Sequence, residues 1–117
     1  GAMSKIVIHR GSVEQIVELA DMQVIRADYK NVTVRIVGRD WFVKRPQNPT
    51  LKALRALSDG SHIYASKSAL IAVSAIVGRV SNYDIAGHFG AVMRDGSIVK
   101  IARREASEFN AVYRRLV

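Results

Sequence analysis

The residues that decide the fold are HIYASKSALIAVSAI, which run from His62 to Ile76. The run starts apolar, passes through a polar step at Ser66-Lys67-Ser68 and ends apolar. Branched aliphatic residues after the step are typical of a buried strand, whereas serine side chains bond to the backbone in loops. The stretch therefore predicts a strand, a loop that emerges and returns, and a buried strand, with Lys67 at the rim.

The length, charge and cysteine content of the chain limit the classes of protein to which it can belong. The chain has 117 residues and is 49% hydrophobic, which predicts a single domain with its own core. A formal net charge of +8 favours a polyanionic partner, nucleic acid first, although plain soluble domains can also be basic. The sequence contains no cysteine, which excludes disulfides and thiolate metal sites. No apolar run is long enough to span a membrane and no signal peptide opens the chain, so the expected location is the cytoplasm.

The first half of the chain predicts strands joined by turns. Residues 5–9 form a β-branched run closed by a turn. Residues 12–21 fit either a helix that starts with a capping box or a strand with alternating residues, and the pattern leaves both open. Residues 23–27 and 32–37 predict a hairpin with Lys30 and Asn31 at its tip.

Two helices are predicted. Asn48 is expected to cap a short internal helix with Pro49 at its first position, and Gly60 is expected to end it. A second helix is predicted from Arg103 to Leu116. Their expected buried faces consist of Leu51, Leu54 and Leu57 in the first helix, and Ala106, Phe109, Val112, Tyr113 and Leu116 in the second.

Strands are also predicted over residues 75–82, 89–94 and 97–102, with Asp95-Gly96 as a hairpin turn. The turns between strands are too short for parallel crossovers, so the predicted class is mostly β with antiparallel sheets. Gly1-Ala2 before Met3 resembles a cleavage scar left by expression. Residues 1–2 are therefore interpreted as a scar and residues 3–117 as the domain.

Three blocks, in order, resemble the LytTR family of bacterial DNA-binding domains. The run from His62 to Ile76 is similar to the family's central signature, residues 17–27 to an earlier block, and Asp95-Gly96 with residues 101–104 to its ending. The sequence departs from the family at four positions. Ser66 replaces the usual His, Ala72 the usual Asn, Arg26 the usual Glu and Ala102 the usual Ser.

The resemblance implies an elongated stack of small antiparallel β-sheets with one internal and one C-terminal helix. It favours a strand rather than a helix near residues 18–21. It further implies a transcriptional regulator whose loops enter successive major grooves of double-stranded DNA, at promoters with paired direct repeats. The contacts carried over fall on Lys30, Asn31, Ser66, Lys67, Arg103 and Arg104. Since 117 residues leave no room for a receiver domain, control is expected from expression level, a regulatory partner protein or oligomerisation, for instance a second copy on DNA, unless the sequence is a fragment of a longer protein.

Other interpretations remain open. Lys67 is also consistent with a solvated loop lysine, and Lys30 and Asn31 with turn chemistry alone. Two cations in the first turn of a helix oppose its dipole, which singles out Arg103 and Arg104. The three histidines lack metal-ligand spacing, and no catalytic motif is recognised, so neither a metal, a cofactor nor an enzyme is expected. The alternative function is a small basic β-rich adaptor that binds a partner protein or single-stranded RNA.

Overall fold

The computed structural model describes residues 5–28, 31–44 and 50–117. They form ten strands and two α-helices: β1 (Lys5–Arg10), β2 (Val13–Glu18), β3 (Val24–Asp28), β4 (Asn31–Ile36), β5 (Arg39–Val43), α1 (Leu51–Ser58), β6 (His62–Ser66), β7 (Ala69–Ala72), β8 (Ile76–Val80), β9 (Phe89–Met93), β10 (Ile98–Ile101) and α2 (Ala106–Leu116). Short 3-10 helices cover Leu19–Asp21, Val73–Ala75 and Arg103–Glu105. None of the helices in the described ranges is long and apolar enough to cross a membrane.

The strands divide between two antiparallel sheets. The first has seven strands in the order β2-β1-β5-β4-β3-β7-β6, and the second has three in the order β10-β9-β8. Every strand pair in the described residues is antiparallel, and the molecule measures 39 × 28 × 23 Å. The predicted class, mostly β with one internal and one C-terminal helix, is confirmed.

The stretch from His62 to Ile76 folds as its pattern predicts. β6 and β7 form a hairpin around the turn at Lys67 and Ser68, and all four residues of β7 are buried. β7 lies inside the first sheet, and both of its faces are covered, because Leu70 packs in one hydrophobic cluster and Ile71 in the other. A strand covered on both faces needs a continuous apolar sequence, which explains the run that follows the polar step.

Two hydrophobic cores lie on opposite faces of the first sheet. On one face, alternate residues of the strands pack with Leu51 and Leu54 of α1. On the other face, β6 and β7 pack against the second sheet and α2, with Phe109 completely buried. The second sheet covers only this part of the face. On β5, β1 and β2 the residues of this face are exposed or half-buried, so that part of the sheet is open to solvent.

The ambiguous segment at residues 12–21 is a strand followed by a 3-10 turn. β2 pairs with β1 over its full length, so long-range pairing overrides the local capping pattern. The expectation of strand through Asp21 is wrong beyond Glu18, because Leu19–Asp21 is 3-10 helix that turns the chain toward β3. The hairpin predicted from residues 23–27 and 32–37 is present as β3 and β4.

The helix boundaries differ from those predicted. Residues 48 and 49 lie outside the described part of the chain, and the N-cap of α1 is Thr50, whose hydroxyl accepts a 3.1 Å hydrogen bond from the Ala53 amide, so the prediction that Asn48 caps the helix is wrong. Leu57 is 43% exposed, because a residue six positions after Leu51 lies about 120° away on the helix surface. α2 begins only at Ala106, and Leu116 at its end is exposed.

The turn between β4 and β5 uses two residues with positive φ. Val37 has φ 48° and Gly38 has φ 76°, and the flanking strands pair directly at Ile36 and Arg39. Left-handed values at both central residues are typical of the type I′ hairpin turn. Val37 is 85% exposed and contributes little burial to offset its backbone conformation.

Candidate nucleic-acid interface

The candidate interface lies at one end of the first sheet. β3 ends there, β4 begins there, and the turn at Lys67 and Ser68 lies next to them, since the Ala27 amide donates a 3.0 Å hydrogen bond to the Ser68 carbonyl. Asp28 and Asn31 are the last paired residues of the β3–β4 hairpin. The antiparallel topology thus brings two loops that are far apart in sequence to the same edge.

Ser66 and Lys67 share a groove with Arg104. The Ala102 amide donates a 2.8 Å hydrogen bond to the Ala65 carbonyl, which holds the start of the Arg103–Glu105 turn against β6. A cavity of about 360 Å³ lies between the two segments and is lined by Ser66–Ser68, Ala102, Arg104 and Glu105. Lys67 and Arg104 are exposed. Two cations therefore meet over a concave surface of the size that admits the edge of a base or a phosphate.

The Lys67 turn is held by its own serines. The Ser66 hydroxyl accepts a 3.2 Å hydrogen bond from the Ser68 amide and lies 3.4 Å from the Ser68 hydroxyl. Such a bond mimics a backbone turn and fixes the loop. Ser66 is therefore placed to set the position of Lys67 as well as to present a hydroxyl to the groove.

Arg103 is not in this groove. Its guanidinium donates a hydrogen bond to the Ala86 carbonyl, and it lines a separate cavity of about 210 Å³ together with His88 and Phe89. Successive residues of a 3-10 turn project about 120° apart, which separates Arg103 from Arg104. The expectation that both lie in the first turn of the last helix is wrong, because they form a 3-10 turn that precedes α2. Neither arginine therefore opposes the dipole of α2 from within its first turn.

Asn31 lines a third groove, separate from those of Arg104 and Arg103. A groove of about 570 Å³ brings it together with Phe42, Lys44, His9 and Glu14 on the open half of the first sheet. The rings of His9 and Phe42 stack with centroids 5.7 Å apart, and Lys44 forms an ion pair with Glu14. Lys30, the other residue predicted at this tip, lies outside the described residues.

The sequence also offers Trp41 and Phe42 as rings that could stack on bases, one of the pair being expected to point to the core, whereas Glu105 and Lys44 were not predicted as site residues. Glu105 enters the groove of Arg104 because it is the next residue of the same turn, which is not visible while the turn is assigned to a helix. Phe42 and Lys44 had a usable signal, since they alternate with the buried Trp41 and Val43 and must point to the opposite face.

The described residues contain no group of His, Cys, Asp or Glu that could hold a metal ion. Asp84 and His88 do meet, with His88 Nδ1 2.9 Å from an Asp84 carboxylate oxygen, and the pKa of Asp84 is lowered mainly by this hydrogen bond. Asp95, however, bonds the Ser97 amide and hydroxyl within its own turn and lies 3.7 Å from Arg35. The Asp84–His88 pair thus closes the loop at residues 81–88, and Asp95 stabilises a different turn.

Comparison with known proteins supports the fold assignment. No family model and no curated protein sequence matches the chain. Among solved structures, the LytTr DNA-binding domain of a Bacillus cereus protein described as a methyl-accepting/DNA response regulator superimposes with a TM-score of 0.77 and 19% sequence identity. The match covers 94% of this chain and 96% of that domain. This protein therefore has the fold of a LytTR DNA-binding domain along nearly its whole described length.

Proposed function

We propose that this protein is a sequence-specific double-stranded DNA-binding transcriptional regulator that reads successive major grooves through loops at one end of its first sheet. The observation that carries the proposal is the meeting of Lys67 and Arg104 over one groove, although 37 positions of the numbering separate them. The fold supports it, because the similar Bacillus cereus domain is described as DNA-binding. The net charge of +8 supplies attraction to phosphates.

The described residues of the predicted contact set have suitable chemistry, although only Ser66, Lys67 and Arg104 lie in the shared groove. Arg104 can fork onto the O6 and N7 acceptors of guanine, and Lys67 can reach the same acceptors or a phosphate. Ser66 can contact either kind of group, and Asn31 at the neighbouring loop can pair with adenine. Arg103, bonded to the Ala86 carbonyl, is assigned the weaker role of a phosphate contact that also holds the loop at residues 81–88.

The wider setting follows from this assignment. We infer binding to promoters with paired direct repeats, occupied by two copies of the protein side by side, and a location in the cytoplasm. Catalysis and a cofactor play no part in the proposed function. A regulatory partner protein remains part of the proposal, since DNA binding of this kind is useful only when it is controlled.

The experiment that tests the proposal is a selection of bound fragments from a random duplex pool, followed by anisotropy titration of the winner and a scrambled duplex at several salt concentrations. We expect the winner to bind at least about a thousandfold more tightly than the scramble. Equal affinities for the two duplexes, with a steep salt dependence, would show that the protein binds the phosphate backbone without reading the base sequence.

Arg104→Ala is the decisive variant and Arg115→Ala its matched control. Both arginines are exposed, but Arg115 lies in the last turn of α2, where a cation is favoured by the helix dipole. Loss of a forked guanine contact should weaken binding to the selected site by about 1–3 kcal/mol, or roughly 5- to 150-fold. Similar losses in the two variants would count against readout by Arg104.

One observation favours the alternative of single-stranded RNA. The stacked His9 and Phe42 rings lie on an open sheet face beside Lys44, and Phe42 is 45% exposed. Bases of single strands stack on such exposed rings. Tighter binding of single strands than of any duplex, together with its loss in Phe42→Ala, would establish this alternative in place of the regulator.

A further inference from the structure

Ile85 is the most exposed large apolar residue in the described part of the chain. Its relative exposure is 108%, so the folded protein covers none of its side chain. It lies in the loop at residues 81–88, which joins β8 to β9. Single exposed apolar residues are common on protein surfaces, so exposure alone assigns no role to Ile85. What sets Ile85 apart is that the loop around it is fixed on both sides.

Four hydrogen bonds hold this loop in one conformation. The Tyr83 amide donates to the His88 carbonyl at 2.8 Å, and the Gly87 amide donates to the Asp84 carbonyl at 3.0 Å. The Asp84 carboxylate accepts a 3.1 Å bond from the His88 amide and lies 2.9 Å from His88 Nδ1. An aspartate that bonds the backbone of its own turn fixes that turn. Ile85, between the bonded residues, is therefore held out in solvent before any partner binds.

The base of the loop is seated on the second sheet by the Tyr83 ring. A Cβ atom at Gly90 would lie 3.2 Å from Cδ2 of that ring and 2.8 Å from Ile98, so the ring approaches the strand closely because residue 90 has no side chain. Lys100 of β10 adds a second tie, since its ammonium lies 3.7 Å from the Asp84 carboxylate. The loop is thus a rigid extension of the second sheet.

Arg103 connects this loop to the candidate interface. Its guanidinium donates a hydrogen bond to the carbonyl of Ala86, the residue that follows Ile85. The residue after it, Arg104, lines the groove that contains Lys67. An apolar side chain, a cation and a second cation therefore follow one another across the surface. A minor groove, the phosphate backbone at its edge and the adjoining major groove follow one another in the same way on duplex DNA.

We propose that Ile85 is a wedge that enters the minor groove next to the major groove bound by Arg104 and partly unstacks one base step. The inference rests on the proposed regulator function and extends it to the shape of the bound DNA. Arg103 contacts the phosphate between the two grooves, because its bond to Ala86 uses only part of its five N–H donors. Apolar wedges of this kind, isoleucine among them, kink a duplex toward its major groove. Such a kink bends the DNA around the side chain of Arg104.

The test uses the full chain and the duplex obtained by selection, with a dye at each end and 2-aminopurine placed in turn at the positions that flank the selected motif. Energy transfer between the dyes measures bending, and unstacking raises the fluorescence of 2-aminopurine. We expect a bend of about 20–90° and, at one flank, a rise in fluorescence of at least about twofold. A selected duplex that stays straight and stacked when bound would overturn the wedge and leave the regulator function intact. Failure to select any preferred duplex would refute the regulator function and the wedge with it.

Ile85→Asn is the decisive variant, and Ile16→Asn on β2 is its matched control. Both isoleucines are exposed, so neither change should lower the unfolding temperature. We expect Ile85→Asn to abolish the bend and the rise in fluorescence and to bind the selected duplex at least about fivefold more weakly, whereas Ile85→Phe keeps the bend. Ile16→Asn should bind and bend the duplex like the unaltered protein. If Ile85→Asn still bends the duplex fully, Ile85 is not a wedge.

Asp84→Ala tests whether the fixed loop matters, with Asp21→Ala as its control. Each change removes one negative charge, and Asp21 is exposed at the end of the first sheet opposite to Lys67. Charge alone would raise the affinity for DNA in both variants. We expect Asp84→Ala to bind the selected duplex at least about threefold more weakly than Asp21→Ala, because the freed loop must be ordered on binding. Equal affinities in the two variants would contradict a preformed wedge.

Discussion

Lowering the pH from about 7.5 to about 5.5 is expected to destabilise the protein through His62. This side chain is 1% exposed at the start of β6. Its Nε2 atom lies 2.7 Å from the Met22 carbonyl and must donate to it, while Nδ1 lies 2.9 Å from the Ser61 hydroxyl. Burial lowers the pKa of His62 below its ordinary value of 6.5, and the Met22 carbonyl opposes the shift only in part.

The sign follows from proton uptake. Below pH 6.5 the unfolded chain takes up a proton at His62 that the folded protein resists, so stability is lost as the pH falls from 6.5 through the folded pKa. Uptake of one proton by the unfolded chain alone sets an upper limit of about 1.4 kcal/mol on the stability lost between pH 7.5 and 5.5. Asp40, Asp84 and Asp95 have pKa values lowered from 3.8, so the stability they contribute is lost only in a more acidic range.

Urea denaturation at the two pH values measures this effect. His62→Gln keeps a donor near the Nε2 position but cannot titrate, so its free energy of unfolding should fall less than that of the unaltered protein over the same pH interval, by up to about 1.4 kcal/mol. His9→Gln, on the open face of the first sheet, is the control. Its free energy of unfolding should fall between the two pH values by as much as that of the unaltered protein. If the unaltered protein and His62→Gln lose the same free energy, the reasoning from burial is refuted.

Three other results are expected. Phe109→Ala should lower the free energy of unfolding by about 3–5 kcal/mol because its ring is fully buried, whereas Leu116→Ala should change it by under about 1 kcal/mol; comparable losses in urea denaturation would contradict the described core. Thr50→Ala should cost about 1 kcal/mol by removing the cap of α1, and an unchanged urea midpoint would argue against that bond. Lys67→Ala should reduce the slope of log affinity against log salt by about 0.9 if the lysine contacts a phosphate; an unchanged slope would exclude that contact.

The sequence predicts the elements that are decided by local periodicity. The β6–β7 hairpin, the β3–β4 hairpin and the apolar face around Phe109 follow from alternation, turn residues and helical spacing. Residues 12–21 do not follow in the same way, since a capping box and an alternating strand are both locally acceptable. The pairing with β1 decides between them, and only the folded chain contains that pairing.

The candidate site is likewise only partly predictable from local sequence. The sequence places cations on loops, but it does not show which loops meet. Lys67 and Arg104 share a groove because Ala102 bonds to Ala65, near the end of β6 and just before the Lys67 turn. Arg103 and Asn31 belong to other surfaces, because a 3-10 turn separates adjacent side chains and the strand order places Asn31 beside Phe42. The role of each predicted contact remains a prediction.

The conformation of Val37 has a consequence for directed evolution. A β-branched side chain is poorly suited to the left-handed conformation that the β4–β5 turn imposes, so the turn forms against the preference of its own residue. Val37→Asn would create the Asn-Gly pair that this turn favours, with an expected gain of about 0.5–1 kcal/mol. The position lies far from the Lys67 groove. Selection for heat resistance should therefore find this change early, as a reserve of stability that can offset destabilising changes in the loops proposed to bind DNA.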